Sequence, residues 1–305
     1  MTSALPTGRA EDTIEGSTED GTDLLVARLR AAGCVFAEEE AALLVEAATS
    51  TAHLEELVRR RVDGLPLEHV VGWAEFHGLR VAVAPGVFVP RRRTELLVEE
   101  AARLVAGPPD GAPAGTPGPG GAAGGDPVVV LDLCCGCGAL GVALVRALAA
   151  PERDRRPVEL HAADVEPAAV ACARRNVEPL GGRVHEGDLY AALPGTLRGR
   201  VDVLLANVPY VPTDAIALMP PEARDHEPRV ALDGGPDGLA VLRRVAAGAP
   251  EWLAAGGHLL VETSERQAEA AVAAFEAAGL AARVVATEEA TAVVGSLRAV
   301  GAPPA

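Results

Sequence analysis

Four consecutive residues, Asn207-Val208-Pro209-Tyr210, could hold a reacting group. The Asn207 side-chain oxygen and the Val208 backbone carbonyl are hydrogen-bond acceptors at adjacent positions. Pro209 fixes φ and pre-forms the turn, and Tyr210 offers a flat face. The set suits a planar NH2 group, because each acceptor takes one N–H and the nitrogen is held in one orientation. The lone pair of such a nitrogen is delocalised. Turning it towards an electrophile and stabilising the positive charge that develops on it are the contributions a protein can make. The competing account of a single Asn-X-Pro is an Asx-type turn after a strand, with a buried Tyr.

A second cluster lies upstream, in Leu131-Asp132-Leu133-Cys134-Cys135-Gly136-Cys137-Gly138. The apolar run 128–133 suits a strand buried on both faces, and a helix through Ala149 follows it. Gly136 and Gly138 allow a tight turn and close backbone approach to a ligand. The N-terminus of the following helix points at the same place. Asp164 comes about 32 residues after Asp132, at the end of the next strand. A carboxylate there accepts hydrogen bonds from ribose hydroxyls or caps the next helix. Strand order sets it beside the glycine loop, which favours the ribose. A nicotinamide dinucleotide would satisfy the same features. Cys134, Cys135 and Cys137 raise the question of a metal. Structural zinc takes about four ligands, usually as spaced pairs, and the sequence offers no second cluster. Small side chains filling a tight turn are the simpler account, and no metal is expected.

Strands must end side by side to bring these residues together. Strands are expected at 128–133, 158–163, 183–187, 201–206 and 258–262, with helices at 167–177, 238–253 and 265–278. This alternation gives a parallel sheet with helices on both faces. Two terminal strands, about 282–286 and 292–298, lack a helix between them and are expected to pair antiparallel at one edge. Ligands of such sheets bind outside the carboxyl ends of the strands, where the strand order reverses. The glycine loop, Asp164 and the turn at 207–210 all fall there.

Ahead of this domain, residues 1–22 are polar, acidic and aperiodic and read as a disordered tail. Leu25, Leu29 and Ala32 fall at helical spacing and Gly33 is a stop signal. Ala41, Leu44 and Ala48 mark a second helix, and Leu54, Leu57, Val58 and Val62 a third. These make a small helical domain over 23–64. In the linker at 65–106, Val70, Val71, Trp73, Phe76, Leu79, Val81 and Val83 suggest short strands or a hairpin, followed by an amphipathic helix at 95–105. The segment 107–127 is almost entirely Gly, Pro and Ala and reads as a flexible insertion before the domain at 128–300.

Composition narrows the function. The chain has 305 residues, of which 49% are hydrophobic, enough for one large domain and a smaller one. A net charge of -16 argues against wrapping nucleic acid by neutralising phosphates, and Arg91-Arg92-Arg93 is a short run of the kind usually found on solvated surface. Lysine is absent, as the mutational bias of a GC-rich genome would produce. Five cysteines, an acidic start and no apolar run of roughly 18 residues fit neither a disulfide framework nor a membrane span. A reducing cytoplasm is the expected location.

Several motifs together carry a resemblance. Asn207-Val208-Pro209-Tyr210 resembles the (Asn/Asp)-Pro-Pro-Tyr signature of amino methyltransferases, and Cys134 to Gly138 resembles the Gly-rich turn of S-adenosylmethionine methyltransferases. Pro66 to Gly72, Glu75 to Leu79 and Val87 to Leu97 are similar to the linker of the release factor glutamine methyltransferases, the HemK/PrmC family. Glu227-Pro228, Ala231 to Gly235 and Asp237 to Leu239 match that family again. The resemblance implies a class I S-adenosylmethionine methyltransferase fold, Rossmann-like, with a seven-stranded, mostly parallel sheet and a helical N-terminal domain for substrate recognition. It implies S-adenosyl-L-methionine as cofactor. Cys134, Cys135, Gly136, Cys137 and Gly138 would cradle its methionine part, Asp164 its ribose, and Asp188 and Leu189 its adenine. Asn207 would touch both cofactor and substrate, and Val208, Pro209 and Tyr210 would complete a glutamine pocket. Pro90, Arg91, Thr94 and Glu95 would help close it. The implied substrate is the glutamine of the Gly-Gly-Gln motif in class 1 peptide chain release factors, methylated at N5. A related branch modifies a ribosomal protein. Cys134 stands where the family has Gly, and Val208 where it has its first Pro, which suggests a divergent paralogue. Two rivals remain: an adenine-N6 methyltransferase of nucleic acid, and a relative that binds cofactor without turnover.

Overall fold

The computed structural model describes residues 17–106, 126–149 and 156–298. Residues 1–16 of the expected tail and 107–125 of the expected insertion lie outside them. The chain divides into two compact units, Met1–Val71 and Gly72–Ala305.

The first unit is helical: α1 (Ser17–Ala31), α2 (Ala37–Ala47), α3 (Thr51–Val62) and α4 (Leu67–Val71). Leu25, Leu29, Ala41, Leu44, Leu57 and Val58 are buried together, as their helical spacing requires. Ser50 caps α3, its side chain accepting the His53 N–H. Two expectations are corrected here. α1 begins at Ser17, so 17–22 belong to a helix rather than to a tail. Val70 and Val71 are helical rather than extended: the Pro66 carbonyl accepts the His69 and Val70 N–H groups, and Val70 buries itself in the helical core. A buried ion pair is also present, with the Arg61 Nε 2.6 Å from Glu40.

In the second unit, β1 (Trp73–Phe76) and β2 (Leu79–Ala82) form an antiparallel hairpin. His77 and Gly78 turn it with positive φ of 50° and 70°, the conformation that two-residue hairpin loops demand. Then follow α5 (Glu95–Ala106), β3 (Val128–Leu133), α6 (Ala139–Leu148), β4 (Val158–Asp164), α7 (Pro167–Val177), β5 (Arg183–Glu186) and β6 (Val201–Ala206). The short helices α8 (Pro221–His226) and α9 (Arg229–Leu232) precede α10 (Ala240–Trp252), β7 (Leu253–Thr263), α11 (Ala268–Ala277), β8 (Ala281–Ala286) and β9 (Thr291–Ser296).

The seven-stranded sheet has the order β5-β4-β3-β6-β7-β9-β8. Only β9 runs against its neighbours, so the terminal strands do pair antiparallel at one edge, with the last strand inserted beside β7. β3 is buried along its whole length. Val128 and Val130 pack with α5, α6 and α7, while Val129, Leu131 and Leu133 pack with α10 and α11 on the opposite face. The period of two along one strand therefore serves two helical layers. β7 starts at Leu253, earlier than the apolar run suggests, because Leu253 pairs with Val201. Among the described residues no helix is long and apolar enough to cross a membrane.

Candidate functional site

β3, β4 and β6 are adjacent and parallel, with Leu133 opposite both Ala163 and Ala206. Their carboxyl ends coincide, and the chain runs outward from β3 through β4 to β5 before crossing back to β6 on the other side of β3. This is the switch point of the sheet. A cavity of about 290 Å³ opens there, close to the lower end of small-molecule sites, roughly 300 Å³. Cys134, Cys135, Gly136, Cys137, Asp164, Asp188, Leu189, Asn207, Val208, Pro209 and Tyr210 all line it. Gly138 does not. A Cβ at Gly138 would come within 2.8 Å of Val177, so this glycine lets α6 pack against α7 rather than a ligand approach.

The loop after β3 is held by backbone contacts. The Cys135 N–H donates to the Ala163 carbonyl, the Gly138 N–H to the Cys135 carbonyl, and the Gly136 N–H to Asp164 Oδ2 at 2.8 Å. The other Asp164 oxygen accepts the Glu166 N–H at 2.9 Å. Each carboxylate oxygen has a second lone pair, so this binding leaves acceptor capacity at the cavity wall. Cys134 has φ of 55°, a left-handed conformation that a Cβ disfavours by about 1–2 kcal/mol. Leu189 shares it, with φ of 48°. Asp188 pairs with Arg244 of α10 at 2.6 Å. Burial raises the Cys134 and Cys135 thiols well above their ordinary range and pushes Cys137 up to about 12. Among the described residues, no group of three or more His, Cys, Asp and Glu could hold a metal ion.

Beneath the loop, Asp132 is completely buried. Its Oδ2 accepts the Gly141 N–H at 2.9 Å, and Oδ1 has no partner among the described residues. Burial pushes this carboxyl up to about 8, opposed by the Gly141 hydrogen bond and helped by the charge of Asp164. Linkage gives the sign. The folded chain keeps the Asp132 proton where the unfolded chain has lost it, so stability falls as pH rises from about 4 towards 8. Asp132→Asn retains an acceptor for Gly141 and removes the titration. The melting temperature of the native chain should decline across this window, and Asp132→Asn should flatten the decline. An unchanged slope in the variant would assign it to other groups.

The turn after β6 is clamped from behind. The Val211 N–H donates to the Leu232 carbonyl and the Gly234 N–H to the Val211 carbonyl. Gln267 Nε2 donates to the carbonyls of Tyr210 and Asp237 at 3.0 and 2.9 Å. Asn207 Oδ1 is buried without a hydrogen-bond partner among the described residues. A satisfied Asx turn would have used that oxygen. Tyr210 is less acidic than a free tyrosine, chiefly through burial and then through the charge of Glu262.

Long-range contacts supply the rest of the wall. Arg91 donates to Glu227 at 2.6 Å, and the Val89 N–H donates to the same oxygen, joining two distant sequence motifs. Pro90, Arg91 and Thr94 line the cavity. Glu95 does not, because its carboxylate accepts the His77 N–H at 2.8 Å and so ties α5 to the β1–β2 hairpin. Phe76 and Phe88 line the cavity from within the linker motifs, and Met219, Val230 and Arg244 line it from positions that no sequence pattern singled out.

Residues 126–219 match the family model of the methyltransferase small domain. A release factor glutamine methyltransferase of Geobacter sulfurreducens is 39% identical over 73% of this chain and 69% of its own length. One from Cereibacter sphaeroides is 33% identical over 86% of this chain and 91% of its own. The chain belongs to the release factor glutamine methyltransferase family. Membership makes it an S-adenosylmethionine-dependent methyltransferase. The family's sequence relatives also include a 4-amino-L-phenylalanine/4-methylamino-L-phenylalanine methyltransferase of Streptomyces pristinaespiralis, 37% identical over 73% of this chain and 69% of that one. The cavity fits the cofactor of the family: it lies at the switch point, carries the Asp164 carboxylate, and is lined by Asn207, whose buried side-chain oxygen has no partner among the described residues.

Proposed function

We propose that this chain methylates the N5 amide of the glutamine in the Gly-Gly-Gln motif of class 1 peptide chain release factors, in the cytoplasm. The buried, unpartnered Asn207 Oδ1 at the cavity carries the reading. An unsatisfied buried acceptor costs about 1–3 kcal/mol, and an amide N–H would satisfy it. In this reading Cys134, Cys135, Gly136 and Cys137 hold the methionine part of S-adenosylmethionine, Asp164 the ribose, and Asp188 and Leu189 the adenine. Bound, that cofactor supplies an electrophilic methyl group on a sulfonium. Asn207 and the Val208 carbonyl each take one N–H of the glutamine and fix the direction its nitrogen faces. The same acceptors stabilise the positive charge that develops on nitrogen. Pro209 stiffens the turn and the Tyr210 ring covers the flat amide.

The test is incubation with S-adenosylmethionine and an unmethylated class 1 release factor, followed by mass spectrometry of the digest. One added methyl on the Gly-Gly-Gln glutamine is expected. A second reading, methylation of an arylamine amino acid, is favoured by the Streptomyces relative and by Phe76 and Phe88 in the cavity wall. A parallel incubation with 4-amino-L-phenylalanine separates the two.

Cys134 gives a further expectation. Its Cβ sits in a left-handed conformation at the cavity wall. Cys134→Gly should lower the dissociation constant for S-adenosylmethionine roughly five-fold, the equivalent of ~1 kcal/mol, in isothermal titration. Strain relief of about 1–2 kcal/mol is partly offset by roughly 0.4–1 kcal/mol of extra chain entropy in the unfolded state. Stability should therefore rise only slightly. Weaker cofactor binding in the variant would mean that the thiol contributes a favourable contact.

A further inference from the structure

We infer that Glu262, at the end of β7, is a positioning residue that holds Tyr210 and Arg93 against the substrate amide, an inference that rests on the glutamine reading above. Glu262 is buried and does not itself line the cavity, whereas Tyr210 and Arg93 do. The Tyr210 hydroxyl donates to Glu262 Oε1 at 3.2 Å. Arg93 Nε donates to the same oxygen at 3.0 Å, and the Arg93 guanidinium also meets the Tyr210 hydroxyl. Glu262 Oε2 has no partner among the described residues. The carboxylate is thus anchored through one oxygen to two cavity-lining side chains that come from distant segments of the chain.

The arrangement has a physical logic. Tyr210 closes the reacting turn, and its backbone carbonyl is already fixed by Gln267. The ring alone is free to swing about its side-chain torsions, and the bond from its hydroxyl to Glu262 stops it. Arg93 lies in the short helical turn before α5, far from Tyr210 in sequence. Its charge compensates the buried carboxylate, which would otherwise be an unpaired anion in the protein interior. Removing the charge of Glu262 therefore loosens both side chains at once. A displacement on the order of 1 Å at a positioning group costs about 10²-fold in rate.

The experiment is a double-mutant cycle in the full chain, Glu262→Gln with Tyr210→Phe, assayed on an unmethylated release factor and joined to carbon-13 NMR of ring-labelled tyrosine. The chain has two tyrosines, and Tyr210→Phe assigns their signals. Glu262→Gln should shift the Tyr210 signal and leave Tyr190 in place. It should raise KM for the protein substrate and lower kcat/KM on the order of 10–100-fold, without changing the dissociation constant for S-adenosylmethionine. Tyr210→Phe should add little in the Glu262→Gln background, since both remove one interaction. Arg93→Gln should move the same signal and weaken the same substrate, so the outcome does not depend on one variant folding. Additive losses, an unmoved Tyr210 signal, or an equal loss of cofactor affinity would overturn the inference. A native chain inactive on release factors would defeat the substrate reading instead, and the NMR arm would still decide whether Glu262 positions Tyr210.

Discussion

Asn207→Ala should reduce methylation of the release factor glutamine by a factor on the order of 10²–10³. The side-chain oxygen it removes belongs to a cavity-lining residue and is buried without a partner among the described residues. The loss should appear in single-turnover rates at saturating cofactor, because the N–H contact strengthens as positive charge develops on nitrogen. Asn207→Asp is the informative companion. It keeps an oxygen acceptor in place, and the (Asn/Asp) alternation of the signature indicates that a carboxylate can serve. Partial activity in Asn207→Asp together with a near-complete loss in Asn207→Ala is the expected pair. Equal activity of Asn207→Ala and the native chain would remove Asn207 from the reaction altogether.

Gly234→Ala should be almost as damaging, for a steric reason alone. Its backbone is not in the left-handed region, so alanine brings no torsional penalty there. The added Cβ would stand 2.6 Å from the Gly238 carbonyl oxygen and 2.7 Å from the Pro209 carbonyl oxygen. Both obstacles are backbone, and neither has a rotamer to change. The segment behind the turn must therefore shift, carrying Pro209 with it. Overpacking of this kind costs about 1–3 kcal/mol, equivalent to a drop of roughly 2–4 °C in melting temperature per kcal/mol for a domain of this size. Activity should fall on the order of 10²-fold through misplacement. Circular dichroism melting and the release factor assay together check both parts. A fully active Gly234→Ala would show that the turn tolerates displacement.

The elements that build this site were legible where a local pattern encodes them. The apolar run of β3 announced a strand buried on both faces, and the alternation around it announced the parallel order that brings Asp164 and Asn207 together. Local pattern misled at Val70 and Val71, where β-branched residues suggested a strand and Pro66 instead opened a helix. It was ambiguous at the two glycines of the loop after β3. Gly136 lines the cavity, whereas Gly138 faces Val177, and nothing in the spacing distinguishes a glycine that admits a ligand from one that admits a helix. The pairs Arg91–Glu227 and Arg93–Glu262 lie beyond any local pattern. A charged residue in sequence reads as surface until the fold shows which distant partner buries it. Gly234 likewise acquires its meaning only once Pro209 is seen behind it.

The cysteines of the loop after β3 have one more consequence. S-adenosylmethionine is an alkylating agent, and this chain lines its proposed berth with sulfur, the best nucleophile among the side chains. Thiolates there would compete with the weakly nucleophilic amide and would end as methyl thioethers, leaving the enzyme spent. Burial raises all three thiols of the loop, Cys134, Cys135 and Cys137, far above neutral pH, and a protonated thiol is a poor attacker. The burial that accompanies small side chains in a tight turn thus favours the protonated, weakly nucleophilic form of these thiols.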